Sequence, residues 1–384
     1  MRAEVLLHKI LGKSIHKSRV KLLGSLMNGL IKSKRLKLSA LGRSLGKQMS
    51  ERSGIRKVDR FLRNPFFQTS SATIYGEISR FTIGNQRTPI LCVDWTKLPN
   101  VNEYALRVSM VAEGRAITLY EEVHPKKKEG NAKVHRDFLA KLKELLPKGC
   151  KPVILTDAGF KNPWFKAVIE LGWDFIGRVK GKTCYSDGND FQGCEKLHEH
   201  ATPKPMYLGA KTLAEKNPLL MGFYIVRQAL KGRKSYTRQG AIRKDKDSLN
   251  YSRSHREPWL LVSSFMDAQM AEKVVALYKY RMTIEEAFRD MKSSQYGFSM
   301  EENNTQKVSR LIVWLVLNAL ASLVAWITGY AAEKKGLHHQ FQANSIRHRR
   351  VLSYFYLGCQ VIRKNLAIPI KLTEINFLSA EIFI

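Results

Sequence analysis

Residues 311–332 read LIVWLVLNALASLVAWITGYAA, 22 positions without a formal charge. A run of that length either crosses a bilayer or forms a helix buried on every side of a large core. Asn318, Ser322 and Thr328 lower its hydrophobicity, and no second span is present to make a bundle. The flanking segments carry the short periodicities of a globular chain, so the expectation is a core helix and no membrane. Such a helix needs a great deal of chain around it. The 384 residues, 44% hydrophobic and 10% aromatic, supply enough for two or three domains.

Charge narrows the partner. There are 65 Lys and Arg against 33 Asp and Glu, a net charge of +32. That excess exceeds what an ordinary metabolic enzyme carries and points to a polyanion, nucleic acid before an anionic membrane surface. Five scattered cysteines form no disulfide framework and fit a reducing compartment. The first residues lack the apolar core of a secretion signal, because Glu4, His8 and Lys9 interrupt it.

Residues 1–60 hold 16 basic and 3 acidic side chains in helical patterns. Ile55, Val58, Phe61 and Leu62 form an apolar stripe, with Arg56, Lys57, Arg60 and Arg63 on other faces. Residues 39–45, followed by a break at Ser53-Gly54, read as two short helices joined by a turn, as in helix-turn-helix modules. Arg56, Lys57 and Arg60 are therefore candidate DNA contacts; a solvated basic face on a small helical bundle is the alternative. From Pro89 the grammar changes to β-β-β-α-β-α-β, with a hairpin at Glu113-Gly114, which predicts an α/β mixed sheet. Residues 180–258 read as β-rich, and 227–247 within them form a basic arm of net +6. Helical periodicity returns after Asp267. The resulting segments are 1–75, 76–179, 180–258, 259–332 and 333–384.

Two acids close apolar runs: Asp94 after PILCV and Asp157 after PVILT. In open α/β sheets ligands gather at the carboxyl ends of strands, and paired carboxylates offer hard oxygen ligands to divalent metal. Asp157 could instead cap the following helix. Read as one helix, 278–292 places Tyr278, Arg281, Glu285 and Lys292 on one face. Glu286 and Asp290 fall off that face, so Glu285 is the carboxylate of choice. An acid, two cations and a phenol on one stripe can bind metal and grip phosphates, although a solvated charge network has the same spacing.

The Tyr-x2-Arg-x3-Glu-x6-Lys pattern of 278–292 resembles the signature of the insertion-sequence-four family of bacterial DDE transposases. VDWTK at 93–97, TDAGFKNPWF at 156–165, GRVKGK at 177–182 and EPWLLVSS at 257–264 extend the resemblance, as does FQANSIRHRRVLS at 341–353. It looks closest to the branch of the transposase from the right-hand element of transposon Tn-ten. The resemblance implies an RNase H-like core interrupted by a β-strand insertion, a helical DNA-binding head and a C-terminal region with dimer contacts. It implies Asp94, Asp157 and Glu285 as catalytic ligands of two Mg²⁺ ions, Asp94 bridging them, with Mn²⁺ able to substitute. Tyr278, Arg281, Lys292 and Arg289 would hold DNA phosphates, and Trp259 would stack on a base flipped during hairpin formation. The implied partners are double-stranded DNA, as terminal inverted repeats and target, and a second copy in a synaptic homodimer. The implied place is the bacterial cytoplasm, on the nucleoid.

Other chemistries fit less well. Cys184, Cys194, His198 and His200 match no standard zinc spacing, and no Gly-Lys-Ser/Thr loop supports ATP use. An RNase H-like nuclease or resolvase would share the three acids without joining ends. A catalytically silent DNA-binding derivative is disfavoured because all three acids are present.

Overall fold

The computed structural model describes residues 3–46, 49–229, 241–242, 245 and 257–378. The basic arm read at 227–247 lies almost wholly outside the described residues. In chain order the elements begin with six helices, α1 Ala3–Leu11, α2 Lys17–Ser33, α3 Leu38–Arg43, α4 Glu51–Arg63, α5 Pro65–Thr69 and α6 Ser71–Ile83. Strands β1 Ile90–Lys97, β2 Glu103–Ala112 and β3 Arg115–Pro125 follow, then α7 Ala132–Leu145, β4 Val153–Thr156, α8 Asn162–Glu170 and β5 Asp174–Val179. Next come β6 Cys184–Ser186, β7 Gln192–Gly193, β8 Met206–Leu213, β9 Leu219–Val226 and β10 Trp259–Ser263. The last helices are α9 Ala271–Lys279, α10 Met282–Lys292, α11 Val308–Lys334 and α12 Tyr354–Arg363. The mixed α/β class and the β-β-β-α-β-α-β order are those expected from the sequence.

The chain divides into two compact units, Met1–Cys150 with Met282–Ile384, and Lys151–Arg281. In the first unit β1, β2 and β3 form an antiparallel meander, turning between β2 and β3 at Gly114, whose φ of 70° suits glycine. Helix α7 covers one face, where Tyr120 stacks on Phe138 and Trp95 donates to His135. Helix α10 covers the other, with Arg107 of β2 against Phe288 and Met291. In the second unit β4 and β5 are parallel, and β10, β9, β8, β6 and β7 continue antiparallel from β5. The strands between 184 and 226 thus lengthen one sheet.

The uncharged run is α11, a helix whose apolar residues are buried by the chain itself. It touches α1, α2, α4, α5, α6, β3 and α12. Its polar ring atoms are satisfied: Trp314 donates to Thr305 Oγ1 at 3.1 Å, and Trp326 to the Glu113 carbonyl at 3.3 Å.

The break expected at Ser53-Gly54 is not a break. The turn lies earlier, and α4 starts when Ser50 caps it by accepting from the Ser53 amide. Gly54 sits inside α4, where a Cβ would lie 2.2 Å from the Gly42 carbonyl of α3; one on Gly42 would meet the Ile55 backbone at 2.6 Å. Glycine at these positions lets α3 and α4 cross in contact, which chain-breaking propensity alone misread. Gly54→Ala should lower stability by about 1–3 kcal/mol through forced separation of the two helices. Unaltered denaturant midpoints would show that the crossing has slack.

Candidate active site

In the first unit the site begins with a cross-strand row. Asp94 is opposite Arg107 on β2, and Arg107 is opposite Glu121 on β3. Asp94 does not end its strand, as the sequence led one to expect; β1 runs on to Lys97, paired with β2 throughout. Hydrogen bonding with β2 outlasts the apolar run. Arg107 and Glu121, each with a side chain only 1% exposed, pair at 2.7 Å. Tyr75 of α6 donates to Glu121 at 2.9 Å, and burial with that carboxylate raises the phenol well above its ordinary range. A buried guanidinium needs these partners, since removing a charge from water costs several kcal/mol.

That row seats α10. Arg107 Nη2 lies 3.1 Å from the Met291 sulfur, and its guanidinium is 4.8 Å from the Phe288 ring centre. Arg115, at the start of β3, grips Asp290 with Nε and Nη2, and Glu286 is 3.8 Å away. Burial raises the Asp290 pKa, and the Arg115 bonds work against it. With its inner face fixed, α10 leaves Glu285 exposed in the first turn. Two turns on, Lys292 Nζ donates to Thr96 Oγ1 at 2.6 Å, two residues along β1 from Asp94. Burial and the nearby Arg107 push the Lys292 ammonium down to about 8, against the pull of Asp94 and Glu301. Arg289 is exposed and paired with Glu286, with Tyr296 nearby.

In the second unit Asp157 directly follows β4 and is half-buried. Its Oδ1 accepts from the Gly159 amide at 2.8 Å, closing an Asx turn. It does not cap α8, whose first turn has Lys161 at the cap position without a side-chain bond. Thr156 is in register with Gly177, so Arg178 follows on the neighbouring strand and Lys180 directly after its end. Burial lowers both pKa values. Tyr278, Glu257, and more weakly Asp157, oppose this at Arg178; Glu257 and Asp157 do so at Lys180, and Arg281 reinforces the lowering at both. The Arg178 guanidinium lies 6.0 Å from the Trp259 ring centre, and Trp259 meets Tyr278 edge to face at 5.2 Å. Arg178 Nε and Nη2 are buried without a hydrogen-bond partner among the described residues. Asp157, Arg178, Lys180, Trp259, Tyr278 and Arg281 thus belong to one neighbourhood, while Asp94, Glu285, Arg289 and Lys292 belong to the other unit.

The expected continuous helix over 278–292 is corrected by the structure. α9 ends at Lys279, and tight bonds from the Tyr280 amide to Leu277 and the Arg281 amide to Tyr278 turn the chain before α10. Tyr278 is 3% exposed, anchored to Trp259 and part of α9, not of the helix that carries Glu285. Arg178 and Lys180 were missed as site residues. Their signal was an Arg and a Lys two positions apart at the end of the strand after the Asp157 strand.

In the amino-terminal helices, Arg56 and Arg60 of α4 are exposed and Lys57 half-exposed. Asp59, between them, pairs with Arg63 at 3.0 Å and with Arg310 of α11 at 2.7 Å, fixing α4 to the core helix. Three carboxylates, none fully buried, fit a hard divalent cation in kind. Among the described residues no three His, Cys, Asp or Glu side chains form a ready-made metal cluster.

The sequence profile of a family described as "Transposase DDE domain" matches residues 85–324. No curated protein matches the chain. Among solved structures, it is similar to the cryo-EM structure of a piggyBac transposase synaptic complex with hairpin DNA. The identity is 13% and the TM-score 0.44, over 91% of this chain and 72% of that one.

Proposed function

The chain belongs to the DDE transposase family, and we propose that it moves an insertion sequence by cut-and-paste transposition. In this reading it cleaves the element's ends, passes through a hairpin on the transposon end and joins the freed 3′-hydroxyl to target DNA. The spacing of Tyr278, Arg281, Glu285 and Lys292 supports the insertion-sequence-four branch, near the Tn-ten right-element enzyme. It works in the cytoplasm on the nucleoid, as a homodimer when ends are paired.

The observation that carries the reading is the bond between Lys292 and Thr96. It joins the helix bearing Glu285 to the strand bearing Asp94. Asp94, Asp157 and Glu285 would hold two Mg²⁺ ions, for which Mn²⁺ would substitute. Bound divalent metal would lower the pKa of the attacking hydroxyl and stabilise the leaving oxygen. The chain's own side chains do the rest. Lys292 offers a point charge to a phosphate near Asp94, and Arg289 a second cation on the same helix. Arg281, Lys180 and the unpartnered nitrogens of Arg178 supply donors to phosphate beside Asp157. Tyr278 packs edge to face with Trp259 and fixes the indole on which a flipped base would stack. Arg56, Lys57 and Arg60 grip the terminal repeat from the head.

The test is incubation with Mg²⁺ and duplexes carrying the ends that flank its own gene. Nicked, then hairpinned, then joined products are expected. Trp259→Ala should reduce hairpins by about 10-fold or more while sparing the first nick, since base stacking contributes ~1–3 kcal/mol. Equal loss of both products would remove the base-flipping role, and no nicking by the unaltered protein would remove the transposase reading.

A further inference from the structure

We infer that the Lys126–Lys128 turn and the outer face of α7 form a second DNA-binding surface, which grips target duplex without regard to sequence. The inference rests on the transposase reading for its partner and on the first unit alone for its geometry. Residues 126–148 hold eight Lys and Arg against three acids, +5 in 23 residues inside the α/β part of the chain. Two of those acids are already used: Asp137 pairs with Lys133, and Glu144 with Lys141, both at 2.6 Å. The third, Glu129, is exposed beside the turn. Lys126, Lys127, Lys128, Arg136, Lys143 and Lys148 are exposed and form no ion pair among the described residues.

These cations are presented by fixed backbone. The lysines occupy a 3-10 turn closed by the Glu129 amide bonding Lys126 and the Asn131 amide bonding Lys128. Lys126 is tied to the sheet by its amide on the Asn102 carbonyl at 3.2 Å. Asn131 then caps α7 through the amides of Lys133 and Val134. Helix α7 buries His135, Phe138, Leu139, Leu142 and Leu145. Its outer stripe is therefore Lys133, Arg136, Ala140 and Lys143, at three- and four-residue steps. Apart from Asn131, whose side-chain oxygen caps α7, the surface presents Lys and Arg, which suit phosphates whatever the sequence. That suits target DNA, which must be held whatever its sequence, better than a terminal repeat.

The surface is also within reach of the chemistry. β1 and β3 run in the same direction, and Asp94 is level with Glu121 two strands away. Lys126, five residues beyond Glu121, is then ~19 Å from Asp94 by strand spacing and rise. That is about half a helical turn of duplex. A duplex over Asp94 can meet the lysine turn at the end of β3, while the outer face of α7, on the other side of the sheet from α10, holds duplex beyond that turn.

The test compares the full chain with a Lys126→Ala/Lys127→Ala/Lys128→Ala variant and with Arg136→Ala/Lys143→Ala. Binding to a random-sequence duplex is measured across salt concentrations, and strand transfer of a pre-cleaved end is measured with Mg²⁺. The slope of log affinity against log salt should flatten by about 0.9 per lost phosphate contact, ~2.7 for the triple variant. Strand transfer should fall by ~10-fold or more, as that slope change implies at moderate salt, with end cleavage nearly unchanged. An unchanged slope and unchanged joining overturn the proposal, as does equal loss of cleavage and joining. If the unaltered protein neither cleaves nor joins, the transposase reading fails, and the salt slope still tests the surface.

Discussion

Replacing Asp94 by Asn, Asp157 by Asn or Glu285 by Gln is expected to lower end cleavage by a thousand-fold or more, equivalent to ~4 kcal/mol of transition-state stabilisation. Each substitution keeps shape and removes one negative oxygen that the proposed metal site would use, so folding and end binding should persist. Asp94 is half-buried and opposite a buried arginine. Its amide would be neutral where Lys292 now feels a negative charge. Glu285 is the exposed member of the three, so Glu285→Gln disturbs the core least. Band shifts on the terminal ends together with gel assays of cleavage separate the two effects. Cleavage retained in any one variant removes that residue from the metal-binding set.

The second large effect concerns stability. Arg107→Met should cost about 3–5 kcal/mol, because Glu121 is left buried without its guanidinium and Tyr75 alone cannot neutralise it. The same change removes the cation between Phe288 and Met291, so the seat of α10 loosens with it. Arg107→Met combined with Glu121→Leu should recover much of the loss, since an apolar pair avoids the desolvation of two charges. Thermal unfolding of both variants decides the point. A single substitution costing under about 1 kcal/mol would mean that Glu121 finds water or another partner.

The α/β class, the seven strands and helices from β1 to β5 and the buried uncharged helix were legible because each is set by local pattern. Alternation of apolar residues in 103–112 and 115–125, with Glu113-Gly114 between, specifies a hairpin wherever it occurs. The turn at Tyr280-Arg281 was not legible. No proline or glycine marks it, and helical periodicity runs straight through it. What turns the chain there is tertiary, with Tyr278 held against Trp259 from a strand some twenty residues earlier. Arg107 was equally silent. An arginine inside EYALRVSMVA shows that a charge is to be buried, but its partners Glu121 and Tyr75 come from a strand pairing and a helix that spacing does not reveal. Arg178 and Lys180 stood inside a motif already singled out. Only the register of β4 on β5 gave them a place beside Asp157.

Helix α11 also sets the order in which the protein can be made. The head helices and the β1–β3 meander leave the ribosome first, yet the wall that both are built against is encoded after the whole of the second unit. At roughly 5–20 residues per second, the early half waits on the order of ten seconds for that wall. A nascent chain interrupted anywhere before residue 308 leaves α2, α4, α6 and β3 with apolar faces uncovered. Such a fragment exposes apolar surface that the whole chain covers, the condition that favours aggregation and proteolysis. Synthesis of this protein is therefore close to all-or-none: the packing of the head helices is complete only once the helix bearing Glu285 has also been translated.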